Sequence, residues 1–250
     1  MLKICYFRKM KNLITLTLLF STFALLASEI TNGVFYINNP VECHLISQDG
    51  STITNQLTAG KTYMVGDVLL ELVITNKTLI YFSNDAVIES GTNSIIDINL
   101  FSQEVNNLNS PPSIGEFGIH NISISFFKGE FSVYYSNSNR NSSFVINTPV
   151  AMYELNSGRF GFQVSDQKCL VYVMDGEIPK IHGDKNRIDS VKKGKLSIVG
   201  QMEDTVATTT RDIKPSEQTN TSVILSKIDQ KINNVGFFVI NGRVIGFKLK

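Results

Sequence analysis

Tryptophan is missing from the 250 residues, and histidine and cysteine are scarce at three each. His44, His120 and His182 are scattered, with no His or Cys at the spacing of a ligand set, so the sequence gives a zinc site no support. Net charge is also nearly absent. Lys and Arg number 23 against 22 Asp and Glu, a formal balance of +1, which leaves no overall field to gather nucleic acid or anionic lipid. Lys192-Lys193 and the tail Lys248–Lys250 read as solvated basic ends. Catalytic signatures are missing too. Ser157-Gly158-Arg159 lacks the Gly-x-Ser-x-Gly arrangement of a nucleophile elbow. Gly66, Gly129, Gly158, Gly176 and Gly194 are too dispersed to cradle a phosphate, and their expected work is to supply positive φ at turns. Asp175 and Glu177 flank Gly176, where ordinary turn chemistry is the plainer reading than an acid/base pair. No catalytic residue, cofactor or metal is expected.

Apolar residues, by contrast, are plentiful at 42%, which excludes wholesale disorder. At the N-terminus, Arg8, Lys9 and Lys11 precede the apolar run Leu13–Leu26, followed by the small residues Ala27 and Ser28. This reads as an export signal over residues 1–28, with Met10 as an alternative start. The run is shorter than the roughly 20 residues that span a bilayer. No Cys follows it to carry a lipid. The rival reading is an uncleaved N-terminal anchor. After cleavage the chain is expected in the periplasm or outside the cell, with no integral membrane span. Cys43 and Cys169 would remain. In an exported protein they are a candidate disulfide, the alternative being two buried thiols that behave as small hydrophobes.

The body of the chain is a succession of short β-type runs separated by Asn, Asp, Ser and Gly: Val34–Ile37, Cys43–Ile46, Val68–Ile74, Leu79–Phe82, Ala86–Ile88 and Ser94–Leu100. The loop Asn106–Gly115 carries Pro111-Pro112 and interrupts the rhythm. In His120–Phe126, polar and apolar residues alternate as in a half-buried strand. Phe144–Ile146, Phe160–Val164 and Leu170–Met174 follow. A faint repeat relates Phe126-Phe127-Lys128-Gly129-Glu130-Phe131 to Val173-Met174-Asp175-Gly176-Glu177-Ile178, and Lys192-Lys193-Gly194-Lys195-Leu196 repeats it more loosely. Glu203–Thr221 is polar and reads as a linker. Ser222–Asn233 sets Ile224, Leu225, Ile228 and Ile232 on one helical stripe, with Lys227, Asp229, Gln230 and Lys231 off it. Phe237–Phe247, with Asn241-Gly242 between apolar runs, predicts a two-residue hairpin docked on the body. The expected fold is all-β, a short solenoid-like stack of strands over 29–202 with a C-terminal helix and hairpin. A two-sheet β-sandwich is the alternative.

From about residue 60 to 200 an ordered set of motifs stands out: Val65-Gly66-Asp67-Val68, Phe127-Lys128-Gly129-Glu130 and Phe144-Val145-Ile146-Asn147-Thr148-Pro149-Val150-Ala151. It continues through Gly158 with Phe160-Gly161-Phe162-Gln163-Val164, Val171–Glu177 around Gly176, and Val191-Lys192-Lys193-Gly194-Lys195. In this order they resemble the FecR family, whose members carry a β-rich periplasmic domain. Asn156-Ser157-Gly158-Arg159 stands where the family has Arg-Gly-Thr. The family's regulators also carry a cytoplasmic sigma-binding part and a membrane helix, for which this chain has only a signal-like N-terminus. The resemblance therefore implies the periplasmic module alone: a non-enzymatic module that binds a protein partner in the cell envelope, in transmembrane signalling. A structural or adhesive secreted β-solenoid is the second reading, and a carbohydrate-active β-helix enzyme the third. Tyr134 and Tyr135, beside the Asn/Ser-rich loop Ser136–Ser143, are a candidate aromatic contact patch, the alternative being strand aromatics that pack on their neighbours.

Overall fold

The computed structural model describes residues 29–217, apart from 48, 67–68, 85, 106–118, 137–140, 183–186 and 203–204, together with 235–240 and 243–248. The expected signal, the loop Asn106–Gly115 and the helix expected over Ser222–Asn233 lie outside the described residues.

The strands, numbered in chain order, form two long sheets. Sheet A runs β4 (Thr52–Leu57), β3 (Val41–Ile46), β6 (Leu69–Ile74), β9 (Ser94–Val105), β10 (His120–Tyr135), β11 (Ser143–Asn147), β12 (Met152–Glu154), β14 (Lys168–His182), β15 (Arg187–Lys192). The short β1 (Glu29–Asn32) pairs with the far half of β9. Sheet B runs β5 (Thr62–Met64), β2 (Val34–Ile37), β7 (Thr78–Phe82), β8 (Val87–Ser90), β10, β13 (Gly158–Ser165), β14, β16 (Lys195–Met202), β17 (Thr205–Asp212). Among the described residues every pairing is antiparallel except β10 with β11.

β10 and β14 belong to both sheets. β10 pairs in sheet A as far as Lys128 and in sheet B from Gly129. β14 pairs in sheet B as far as Gly176 and in sheet A from Glu177. These crossings close β10, β11, β12, β14 and β13 into a hydrogen-bonded ring.

The core lies between the sheets because period-two alternation turns one side chain in two inward. Phe35, Ile37, Ile80, Phe82 and Ile88 come from sheet B, and Leu72, Ile74, Ile96, Ile98 and Phe101 from sheet A; all share one buried cluster. Aromatic edges tie the layers together. Phe82 meets Phe101 at 5.6 Å between ring centroids, Phe126 meets Phe162 at 5.5 Å, and Tyr153 meets Phe162 at 5.6 Å, within the range where edge-to-face pairs add to plain burial. The all-β expectation holds. The two sheets enclose that core between them.

One boundary needs correcting. Thr205–Asp212, read from sequence as part of a polar linker, is strand β17, paired along its length with β16. Among the described residues it pairs with β16 alone, so its Thr-rich composition suits a sheet edge as well as a linker; the β-branched threonines favour the strand. At the C-terminus, β18 (Val235–Ile240) and β19 (Arg243–Lys248) form the expected hairpin, with Ile240 opposite Arg243. β19 runs beside β2 and β5 without joining their sheet.

Candidate functional site

The glycines that carry the family resemblance sit where the chain bends. Gly129 has φ +121°, and a Cβ there would fall 2.1 Å from Ser94 Oγ. Phe126 and Phe131 stack across this bend at 4.0 Å. Gly176 has φ +78°, and a Cβ would meet the Ser157 carbonyl oxygen at 2.1 Å. Gly158, its partner in register, would press a Cβ to 2.3 Å from the Asp175 carbonyl oxygen. Gly194 has φ +81° in the β15–β16 turn, with open space where a Cβ would go. Thr148 closes the Thr148-Pro149-Val150-Ala151 turn, its hydroxyl donating to the Ala151 carbonyl (2.8 Å) and accepting from the Ala151 amide (3.1 Å). These motif residues shape the backbone. Asp175 and Glu177, on either side of the Gly176 crossing, have separate partners, Lys193 for Asp175 and the Ser190 hydroxyl for Glu177.

Tyr134 and Tyr135 do not form a joint patch. Alternation along β10 sends Tyr135 into the core, where it is hydrogen-bonded to His120 Nε2 (2.8 Å) and edge-on to Phe144. Burial holds its hydroxyl well above the ordinary tyrosine range. Tyr134 points the other way and packs with Val34, Tyr36, Leu79, Tyr81 and Val87 on the outer face of sheet B.

Cys43 and Cys169 are both buried and free, so the candidate bridge is absent. Cys43 is on β3, whereas Cys169 is on the sheet B part of β14, which β13, β10, β8 and β7 separate from β2, the strand that leads into β3. That separation far exceeds the reach of a disulfide. Burial pushes the Cys169 thiol up to about 12 and raises Cys43 as well. The Tyr153 hydroxyl, beside Cys169 and Thr148, is buried without a well-formed hydrogen bond.

Sequence reading missed a row of ionisable groups on the outer face of sheet A. His44, Glu71 and Asp97 stand opposite one another on β3, β6 and β9. His44 Nδ1 is 2.7 Å from Glu71, and Nε2 is 3.0 Å from Glu42. Those two carboxylates raise the His44 pKa. Burial, with the Glu71 charge adding to it, pushes Asp97 up to about 6. The signal was present as an ionisable residue within each apolar run, but only register shows that they share a row. On the same face, burial opposes ionisation of Glu154, yet Lys180 and His182 outweigh it and hold the carboxyl below its usual range. Among the described residues no group of three or more His, Cys, Asp or Glu is arranged to hold a metal.

The surface most suited to binding lies at the end of the molecule where both sheets stop. β4, the last strand of sheet A, pairs only with β3 among the described residues. Five of its six residues are exposed. β5, the last strand of sheet B, pairs as a strand only with β2 among the described residues. Between these edges a cleft of about 450 Å³ is lined by Cys43, Leu45, Leu57, Tyr63, Met64 and Leu70, among others. Met64 is 67% exposed, and Ile53, opposite Leu45 on β4, is 57% exposed. An open strand edge beside an apolar cleft offers unpaired backbone groups and a place for apolar side chains. A second depression, near the Gly176 crossing, is polar and open, with Ser157, Glu177, Lys192 and Lys193 around it.

No helix among the described residues is long and apolar enough to cross a membrane. No family model and no curated protein matches the sequence. The fold is similar to two crystal structures of candidate anti-sigma factors from Parabacteroides distasonis. One, at 9% identity and a TM-score of 0.43, covers 73% of this chain and 100% of its own. The other, at 9% identity and a TM-score of 0.42, covers 72% of this chain and 99% of its own.

Proposed function

We propose that this chain is an exported, non-enzymatic protein-interaction module of the bacterial cell envelope, of FecR type, working in the periplasm. The observation that carries the reading is the exposed edge strand β4 beside the apolar cleft. Its partner presents an extended segment that pairs with β4 and seats one or two apolar side chains against Leu45, Tyr63 and Leu70. The positions of Gly129, Thr148, Gly158 and Gly176 support the FecR assignment, because each motif residue meets a backbone requirement at its place in the fold. The signal-like N-terminus supports export.

The test is affinity capture from intact cells producing the tagged full chain, with fractionation to locate it. The expected result is a periplasmic chain that retains one envelope protein at near-stoichiometric yield. Recovery of the chain alone in large assemblies would favour the structural or adhesive reading instead.

A further inference from the structure

The open edge of sheet A sorts its side chains by face. Register sets Leu57 opposite Val41, Asn55 opposite Cys43 and Ile53 opposite Leu45. Val41 and Cys43 belong to the core and Leu45 packs against it, so Ile53, Asn55 and Leu57 lie on the cleft side of β4. Thr52, Thr54 and Gln56 lie on the outer face, opposite Ile46, His44 and Glu42. A strand added beside β4 continues this alternation. Its residues opposite Ile53 and Leu57 fall on the cleft side, and those opposite Thr54 and Gln56 fall on the outer face.

The two faces ask for different chemistry. On the cleft side the added strand meets Ile53, 57% exposed, and, across the opening, Met64, 67% exposed. An apolar side chain there removes both from water. The outer face is acidic at this edge. Glu42 and Glu71 share one histidine, with His44 Nε2 3.0 Å from Glu42 and Nδ1 2.7 Å from Glu71. One imidazolium cannot neutralise two carboxylates, and the Glu42 side chain is 53% exposed. The lysine in the same row as Glu42, Lys128, is three strands away on β10. That is about 14 Å at ~4.8 Å per strand, beyond the screening length of about 10 Å. Asp49 and Lys61, in the turns before and after β4, offset each other. An added strand lies two spacings from β3, about 10 Å. A long basic side chain and the Glu42 carboxylate span that gap together by reaching over Gln56 or Thr54.

On the reading of β4 as the recognition edge, we infer that the partner's segment is basic and alternating. It carries apolar residues four apart, opposite Ile53 and Leu57, with lysine or arginine opposite Thr54 and Gln56. The pattern is the same in either direction, so it holds for parallel or antiparallel addition. A second copy paired through its own β4 does not fit, because Thr-Ile-Thr-Asn-Gln-Leu brings no cation to Glu42.

Three blocked synthetic peptides, titrated against the full chain by fluorescence anisotropy, test this. Each has valine–X–threonine–X–valine at its centre, with X lysine, serine or glutamate. The lysine peptide should bind several-fold tighter than the serine peptide, and the glutamate peptide more weakly than either. Glu42→Gln, or high salt with the wild type, should level the three. Hydrogen exchange should show the amides of Thr52–Leu57 protected by the bound peptide. Equal affinities for the lysine and serine peptides, with β4 protected, would overturn the charge pattern and leave the edge reading standing. Serine-peptide binding that persists in a folded Ile53→Lys chain, or protection away from β4, would overturn the edge reading and this inference with it. Failure of all three peptides to bind would count against both. So would self-association through a protected β4 that no peptide displaces, which would give the edge to a second copy.

Discussion

Gly158 and Gly176 stand directly opposite each other at the point where β14 leaves one sheet for the other. Neither has room for a Cβ, because each would press one into the carbonyl of a residue beside its partner. The crossing is a close backbone contact between two strands, and the long strand can pass through only because both residues are glycine.

Gly176→Ala and Gly194→Ala should therefore behave differently. Both place Ala at positive φ, which costs about 1–2 kcal/mol. At Gly194 nothing else is met, so the loss should stay in that range. At Gly176 the Ser157 backbone must also move, and the total should reach about 3 kcal/mol or more once the overpacking cost is added. Urea unfolding of the two variants checks the order, and equal losses would contradict the close-contact account.

The row of ionisable groups on sheet A sets a pH dependence. Asp97 is pushed up to about 6 when folded, against about 4 in an unfolded chain. Its contribution is whole below about pH 4 and is lost as pH rises through about 6. His44, raised by Glu71 and Glu42, likewise contributes below its ordinary range and loses that contribution as pH rises through its folded value. Glu154 and Asp175 are held low, so their contribution disappears as acid protonates them. Stability should peak at mildly acidic pH. Melting temperatures measured between pH 5 and 8 should fall for the wild type and fall less for Asp97→Asn.

The two thiols should be inert and unlinked. Alkylation of the native chain at pH 8, read at peptide level, should leave Cys169 untouched and modify Cys43 slowly through the cleft that it lines. Urea should expose both. A Cys43–Cys169 linked peptide in the chain recovered from cells would contradict the strand order.

Two of the strands that the sequence reading missed show what the sequence carries. β2, β3, β6, β7 and β9 were readable because apolar runs mark strands that bury a face. β4 (Thr-Ile-Thr-Asn-Gln-Leu) and β17 (Thr-Val-Ala-Thr-Thr-Thr-Arg-Asp) were not, because both are edges. With one neighbour and little burial, an edge strand has the composition of a linker. The faint repeat around Gly129 and Gly176 was a true signal, since it marks the two strands that change sheets, whereas its looser copy at Gly194 is a hairpin turn. Tyr134 and Tyr135 show the opposite limit. Adjacent residues on one strand face opposite ways, so a doublet that looks like a patch in sequence divides between core and outer face. The His44–Glu71–Asp97 row depended on register across three strands, which no local pattern encodes.

The central claim, recognition at the open edge of sheet A, is tested most directly by hydrogen exchange of the full chain with and without the captured envelope partner. The account predicts that the amides of Thr52–Leu57, exchanging quickly in the free chain, become protected in the complex, and that Ile53→Lys abolishes both the protection and the capture. Protection confined to the outer face of sheet A or to the polar depression near Gly176, with β4 unchanged, would contradict it.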